Sequence, residues 1–205
     1  MVNLLVGTQN PGKQREYRDL LAGLPVQWLS PADVGLADFT PEESGATFEE
    51  NARCKALAYA RATGLPALAD DSGLEVDALG GAPGVLSARY AGPHATDEDR
   101  YYKLLTALAG VPDARRTARF ICVVALALPT GEVYTAHGAL EGSIGYEPHG
   151  MEGFGYDPVF VLPDGRHLAE LPAAEKHIIS HRGRALQAFK PRLLDLLAAL
   201  GQDES

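Results

Sequence analysis

Residues 118–140 read ARFICVVALALPTGEVYTAHGAL and decide the fold class. The part from 118 to 128 is rich in Val, Ile, Leu and Ala, which is typical of a buried strand. Pro129, Thr130 and Gly131 are turn formers, and the extended pattern resumes over residues 132–140. The segment therefore predicts a β-hairpin, and its apolar run is too short to cross a membrane.

Outward from this hairpin, two helices carry their own start signals. The run Thr47-Phe48-Glu49-Glu50 matches a capping box and predicts a helix that Gly64-Leu65-Pro66 ends. Asn10 suits an N-cap and Pro11 the first helical position, which predicts a helix as far as residue 21. Further helices are predicted over 96–109, 173–179 and 181–200, and further strands over 2–6, 26–29, 67–69, 74–79 and 158–162. Helices and strands mix without strict βαβ alternation, so we expect a mixed α/β fold around a central sheet.

Composition narrows the class of protein. The chain has 205 residues, of which 46% are apolar and 22% charged, which suits a single domain covering residues 1–205. Lys and Arg number 18 against 27 Asp and Glu, so the formal net charge is -9 and argues against binding nucleic acid or an anionic membrane. Cys54 and Cys122 lack metal-type spacing and are expected to be buried thiols in a reducing cytoplasm. Residues 2–7 are too short an apolar run, without a basic lead, for a signal peptide.

A polar turn over residues 7–13, GTQNPGK, lies between a predicted strand and a helix. Amide groups at a helix N-terminus attract anions, and Lys13 adds a full charge, so the turn could bind phosphate. It nearly matches the Walker A pattern, but Gln14 stands where that pattern has the hydroxyl that holds magnesium. A capped surface turn with a solvated lysine is the alternative.

Two acidic residues, Asp70 and Asp71, follow the short apolar segment 67–69 and precede Ser72 and Gly73. We expect the chain to leave the strand here and form a metal-binding turn, because magnesium needs only one or two carboxylates beside phosphate oxygens and water. A carboxylate next to the metal could also accept a proton from water. The alternative is an acidic turn that caps the next element.

Three more features could carry chemistry. Asn51 and Lys55 lie four residues apart on one helix face, from which both could reach phosphates. The alternative is that both are solvated surface residues.

The segment GFGYDP, residues 153–158, contains two aromatic residues and an aspartate. Phe154 could stack on a base and Asp157 could hold a sugar or base edge, whereas Tyr156 could instead be a core anchor. In EKHIISHRG, residues 175–183, basic side chains occupy the first turn of a helix that Ser180 caps, where the helix dipole disfavours cations unless an anion is bound.

These motifs together resemble the inosine triphosphate pyrophosphatase family. The matching signatures extend from Thr8 to about Leu186 and comprise T-x-N-x-x-K at 8–13, E-x-G at 43–45, N-A-x-x-K at 51–55, ADDSG at 69–73, GGAPG at 80–84, SARY at 87–90, GFGYDP at 153–158 and E-K…S-H-R-G at 175–183. Several ordered motifs at compatible spacings make a chance match improbable.

The resemblance implies magnesium-dependent hydrolysis of inosine, deoxyinosine and xanthosine triphosphates to the monophosphate and pyrophosphate. It also implies a homodimer and an elongated mixed sheet flanked by helices, with the active-site cleft between two lobes. The implied catalytic residues are Asp71, Lys55 and Glu43, with Asp71 and Glu43 also holding the metal. The implied substrate-binding residues are Thr8, Gln9, Asn10, Pro11, Gly12, Lys13, Ser72, Phe154, Gly155, Tyr156, Asp157, Lys176, His181 and Arg182.

Two other classes of protein remain possible from the sequence. A P-loop NTPase would explain the Walker-like turn, and it would release orthophosphate rather than pyrophosphate. A nucleotide-binding module without catalysis would keep the phosphate turn, but it would not need Asp71, Glu43 and Lys55 together. A pocket that donates to a 6-keto oxygen would reject adenine, whereas the exclusion of guanine does not follow from these residues.

Overall fold

The computed structural model describes residues 2–203 and has the predicted mixed α/β architecture. The strands are β1 Val2–Val6, β2 Val26–Leu29, β3 Ala67–Val76, β4 Thr117–Ala127, β5 Val133–Ile144 and β6 Phe160–Val161. The α-helices are α1 Pro11–Leu20, α2 Phe48–Thr63, α3 Asp97–Ala107, α4 Ala173–Ile179 and α5 His181–Asp203. The strands form one sheet in the order β2-β1-β3-β4-β5-β6, in which β1 runs parallel to β2 and β3, and β5 antiparallel to β6.

Local capping explains where the helices begin. The Asn10 side chain accepts a hydrogen bond from the Lys13 amide at the start of α1, and Thr47 and Glu50 form the predicted capping box of α2. Ser180 Oγ accepts from the Gly183 amide at 3.0 Å in the first turn of α5. Each of these caps satisfies amide groups that the helix itself leaves without partners. The predicted starts of α1, α2 and α5 are therefore confirmed.

The prediction of a turn at residues 70–73 is wrong. The chain continues through Asp70, Asp71, Ser72 and Gly73 as a single strand, β3, instead of two strands flanking a turn. Both carboxylates are buried, and each accepts a hydrogen bond from another side chain, which offsets part of the cost of burying them in the strand. Side chains alternate along a strand, so these two consecutive carboxylates project to opposite faces of β3.

Strand lengths near the hairpin also differ from the expectation. β5 extends to Ile144, beyond the predicted residue 140, and β6 comprises only Phe160–Val161 rather than residues 158–162. A 3₁₀ turn over Asp157–Val159 replaces the start of that predicted strand. Proline has no amide hydrogen to donate to a sheet, which accounts for the exclusion of Pro158 from the strand.

Within the described residues, the chain forms two compact units. The first unit comprises the chain up to Asp71, Val123–Gly138 and the chain from Arg184 onward, and the second comprises Ser72–Cys122 and Ala139–Gly183. Three strands, β3, β4 and β5, contribute residues to both units. The second unit has an apolar core that includes Leu74, Leu104, Phe120, Val159 and Phe160. Fully buried apolar residues of the first unit include Leu4, Leu5, Ala52, Leu68 and Leu126.

Two further findings concern surface properties. None of the helices described here is long and apolar enough to cross a membrane. Both cysteines are thiols, but only Cys122 is buried, so the expectation of a buried Cys54 is wrong. The buried positions on α2 include residues 51, 52, 55, 56, 59 and 60, and residue 54 lies outside that helix face.

Candidate functional site

All three predicted catalytic side chains, Glu43, Lys55 and Asp71, lie within the first unit. We call the group that they form with their neighbours the carboxylate–lysine cluster, and its members are Lys13, Glu43, Asn51, Lys55, Asp70 and Asp71. Helix α1 supplies Lys13, helix α2 supplies Asn51 and Lys55, and strand β3 supplies the two aspartates. Glu43 lies in the loop that precedes α2.

Both lysines of this cluster lie against carboxylates. Lys13 Nζ is 2.9 Å from Asp70 Oδ2, and Lys55 Nζ is 2.5 Å from Glu43 Oε1. Lys55 also donates to the main-chain oxygen of Asp70 at 3.1 Å. Asn51 is 1% exposed and Lys55 8%, so the alternative in which they are solvated surface residues is wrong. A buried cation requires such partners, because its desolvation would otherwise be costly.

The environment of Asp71 raises the pKa of this carboxylate. Asn51 Nδ2 donates to Asp71 Oδ2 at 3.0 Å. Burial raises the pKa of Asp71 above its ordinary value, although the charges of Lys55 and Lys13 and the Asn51 hydrogen bond act against that rise. Burial lowers the pKa of Lys55, but the attraction of Glu43, Asp70 and Asp71 outweighs this effect and leaves a raised pKa. Lys55 is therefore a permanent cation beside a carboxylate with increased proton affinity.

The carboxylate oxygens of Glu43 and Asp71 suit a hard divalent cation whose remaining ligands are phosphate oxygens and water. The charge of Glu43 also raises the pKa of Asp71, so these two carboxylates are close enough to repel each other. No group of three or more His, Cys, Asp or Glu side chains in residues 2–203 is arranged to hold a metal ion. Magnesium binds through one or two carboxylates together with phosphate oxygens and water. Glu43 and Asp71 fit that requirement only when a phosphate ligand is present.

The predicted phosphate turn is held in place by hydrogen bonds. The Asn10 amide donates to Thr8 Oγ1 at 3.3 Å, and Gln14 Nε2 donates to the Thr8 main-chain oxygen at 2.9 Å. Gln9 Nε2 donates to the main-chain oxygens of Ala37 at 2.7 Å and Phe39 at 2.8 Å. Pro11 and Gly12 are the first two residues of α1. The Gln9 side chain therefore contacts the loop that carries Glu43.

A second group of predicted residues lies within the second unit. We call it the aromatic cluster, and its members are Ser72, Phe154, Asp157, Lys176 and Arg182. Asp157 Oδ2 accepts from Lys176 Nζ at 2.6 Å and from the Phe154 amide at 2.9 Å. Lys176 Nζ lies 4.9 Å and the Arg182 guanidinium carbon 5.9 Å from the centre of the Phe154 ring. Two cations therefore lie against the Phe154 ring. Arg182 Nη2 also donates to Ser72 Oγ at 2.9 Å.

Other predicted residues of this unit have structural contacts. The His181 ring stacks on Phe120 with centroids 4.8 Å apart. Tyr156 is part of the apolar core and its hydroxyl donates to the Ser87 main-chain oxygen at 2.9 Å, as the core-anchor alternative expects. The Gly155 amide donates to Asp97 Oδ2 at 2.7 Å. The sequence gives no signal for this contact of Asp97, because an acidic residue in the first turn of α3 is already explained by the helix dipole.

A cavity of about 250 Å³ elsewhere in the second unit is not lined by any predicted site residue. The buried guanidinium of Arg116 forms part of its wall and donates to the main-chain oxygens of Leu108, Ile144 and Gly145. Tyr146 covers the guanidinium with its ring at 4.4 Å. These contacts give Arg116 a structural role in joining three chain segments.

Comparisons with known proteins show which family the chain belongs to. The Ham1 family model matches residues 4–192. The chain is 53% identical over 195 residues to a dITP/XTP pyrophosphatase of Geobacter sulfurreducens, covering 94% of this chain and 97% of the relative. It is 48% identical over 200 residues to a dITP/XTP pyrophosphatase of Yersinia pestis, covering 95% of this chain and all (100%) of the relative. A solved HAM1 protein from Coxiella burnetii superimposes with a TM-score of 0.86 at 44% identity, covering 95% of this chain and 100% of that one. A family match over residues 4–192 and relatives this similar establish that the chain belongs to the Ham1 family.

Proposed function

We propose that this protein hydrolyses inosine, deoxyinosine and xanthosine triphosphates to the nucleoside monophosphate and pyrophosphate, with magnesium. The observation that carries the proposal is the carboxylate–lysine cluster, in which Asp71 is buried between Asn51 and two lysines. The names of the relatives, dITP/XTP pyrophosphatase, support the same reaction and substrates.

In this proposal, water attacks the phosphorus nearest the sugar and pyrophosphate leaves. A bond forms between the water oxygen and the α-phosphorus, and the bond from that phosphorus to the bridging oxygen breaks. Asp71 accepts the proton of the attacking water, and its raised pKa makes it a stronger base than an exposed aspartate. Lys55 offsets the negative charge that accumulates on the phosphate oxygens.

Glu43 and Asp71 are the residues that would hold magnesium. The metal would supply charge neutralisation at the phosphates and would lower the pKa of bound water. Residues Thr8, Gln9, Asn10, Pro11, Gly12 and Lys13 are proposed to bind the polyphosphate, because amides at the N-terminus of α1 and the Lys13 charge both attract anions.

The aromatic cluster is proposed to bind the base and the sugar–phosphate. Phe154 offers a flat face for stacking, and Asp157, held by Lys176, supplies a fixed acceptor near it. Ser72, Lys176 and Arg182 would contact phosphate or ribose, and Gly155, Tyr156 and His181 would complete the purine pocket. Donors directed at a 6-keto oxygen would face the 6-amine of adenine without an acceptor, which disfavours ATP.

The proposal extends to a cytoplasmic homodimer that removes these nucleotides from the precursor pool. Two cysteines that remain thiols are compatible with a reducing compartment.

One substrate panel tests the proposal. The protein is incubated with magnesium and ITP, XTP, dITP, GTP or ATP, and the rate and the released phosphate species are recorded. We expect pyrophosphate from ITP, XTP and dITP at rates far above those for ATP. Orthophosphate as the sole primary product would favour the P-loop NTPase, and tight binding without turnover would favour a binding module. Equal rates on ATP and ITP would exclude the pool-cleansing role.

A further inference from the structure

One buried amide, that of Asn51, joins two parts of the carboxylate–lysine cluster. Its Oδ1 accepts from the Gly45 main-chain amide at 2.8 Å, and its Nδ2 donates to Asp71 Oδ2 at 3.0 Å. Gly45 lies two residues after Glu43, in the same loop. Asn51 therefore contacts both the loop that carries one carboxylate and the strand residue that carries the other.

The loop approaches α2 so closely that Gly45 has no room for a side chain. A Cβ at Gly45 would lie 2.7 Å from Asn51 Oδ1 and 2.8 Å from Glu50 Cβ. The amide of Gly45 needs an acceptor here, and Asn51 is the only side chain in this contact that offers a donor and an acceptor at once. An aspartate of the same size would keep the acceptor and lose the donor.

The hydrogen bonds of Asn51 restrain the positions of two carboxylates, Asp71 and Glu43. Asn51 donates to Asp71 on one side, and Lys55 holds the other carboxylate, with its Nζ 2.5 Å from Glu43 Oε1. Without the amide, the two carboxylates would have one fewer restraint on their separation and on the direction of Asp71 Oδ2. Groups that orient metal ligands in this way affect activity without contacting the substrate.

We propose that Asn51 is a positioning residue that fixes Asp71 and the Glu43 loop in the geometry needed for magnesium and for proton transfer. This inference rests on the proposed function, because it assigns a role relative to the proposed metal ligands. Asn51 itself has no contact with the reacting atoms in this scheme. Its two hydrogen bonds act through Asp71 and Gly45.

The test compares Asn51→Leu with the parent and with Thr63→Ala. Thr63 is on the same helix and makes two hydrogen bonds of its own, from its hydroxyl to the Tyr59 oxygen and from the Leu65 amide, but contacts no carboxylate. For Asn51→Leu we expect kcat on ITP to fall about 10–100-fold with KM changed by less than about threefold. Titration with magnesium in the presence of pyrophosphate, measured by calorimetry, should show weaker magnesium binding than in the parent. Thr63→Ala should lower the melting midpoint and leave kcat, KM and magnesium binding unchanged.

Two outcomes would overturn the inference. One is a folded Asn51→Leu protein with kcat within about twofold of the parent, and the other is a Thr63→Ala protein that loses as much kcat. If Asn51→Leu does not fold, Asn51→Asp replaces it, since that variant keeps the Gly45 acceptor and should lose kcat by the same margin. The parent assay is read first: a parent that releases no pyrophosphate from ITP would reject the proposed function, and magnesium titration would still report on Asn51.

Discussion

The carboxylate–lysine cluster and the aromatic cluster both contain buried charged side chains, but with opposite balances of charge. In the first, three carboxylates, Glu43, Asp70 and Asp71, accompany two lysines. In the second, one carboxylate, Asp157, accompanies Lys176 and Arg182 beside an aromatic ring. An excess of carboxylates suits a divalent cation and a proton acceptor, whereas an excess of cations beside a ring suits an anionic nucleotide. The comparison predicts that substitutions of Glu43, Lys55 and Asp71 in the first cluster reduce kcat, whereas substitutions of Phe154 and its neighbours in the second raise KM.

The largest expected effect is that of Asp71→Asn. An amide cannot accept the proton from water and binds magnesium poorly, so kcat on ITP should fall about 10²–10⁴-fold. The measurement is pyrophosphate release, with circular dichroism to check folding. Glu75→Gln is a matched control, because Glu75 lies on the same strand and its carboxylate pairs only loosely with Arg119, at 3.4 Å. Full activity in Asp71→Asn would remove Asp71 from both proposed roles.

Lys176→Met should have the largest effect on stability. Asp157 and Lys176 form a 2.6 Å ion pair whose side chains are 4% and 5% exposed, so the variant leaves a buried carboxylate without its ion partner. The free energy of unfolding should fall by about 3–5 kcal/mol in urea titrations. Lys103→Met provides the matched control, since Lys103 lies over Tyr90 at the surface and should lose less than about 1 kcal/mol. Equal losses in the two variants would contradict a structural role for the buried pair.

Phe154→Ala tests whether the aromatic cluster binds the base of the substrate. Stacking of a base on an aromatic ring contributes about 1–3 kcal/mol, so KM for ITP should rise about 5–150-fold while kcat changes little. Steady-state kinetics measure both constants. Tyr102→Ala removes an exposed ring of the same unit and should change neither. A fall in kcat alone would place Phe154 with the catalytic residues instead.

The smallest effect is expected for Asp99→Asn, outside both clusters. Hydrogen bonds from the Thr96 hydroxyl and amide lower the pKa of Asp99 in the folded protein, so this carboxylate stabilises the fold above its unfolded pKa. That contribution is lost as the pH falls through the folded pKa. The melting midpoint of the variant should therefore lie slightly below that of the parent at pH ~7, and the difference should vanish in acid. A change in kcat would be unexpected.

Local signals in the sequence predicted the helices well and the environment of the site less well. The caps at Asn10, Thr47 and Ser180 lie within three residues of the amides they bind, so the sequence contains the whole interaction. The course of β3 depends on partners that are distant along the chain. Asp70 is stabilised by a lysine 57 residues away and Asp71 by an amide 20 residues away, so a pattern of adjacent residues could only suggest a turn.

Whether a helix face is buried also depends on residues that are distant along the chain. Asn51 and Lys55 were correctly placed on one helix face, but only tertiary packing determines that this face is covered. The family resemblance implies the chemistry of Asp71, Glu43 and Lys55, whereas the bridging role of Asn51 follows only from its two hydrogen-bond distances.

The site of water attack tests the account most directly. The protein hydrolyses dITP with magnesium in ¹⁸O-labelled water, and mass spectrometry locates the label in the products. Attack at the α-phosphorus predicts labelled deoxyinosine monophosphate and unlabelled pyrophosphate. Label in pyrophosphate, or release of orthophosphate as the first product, would contradict it.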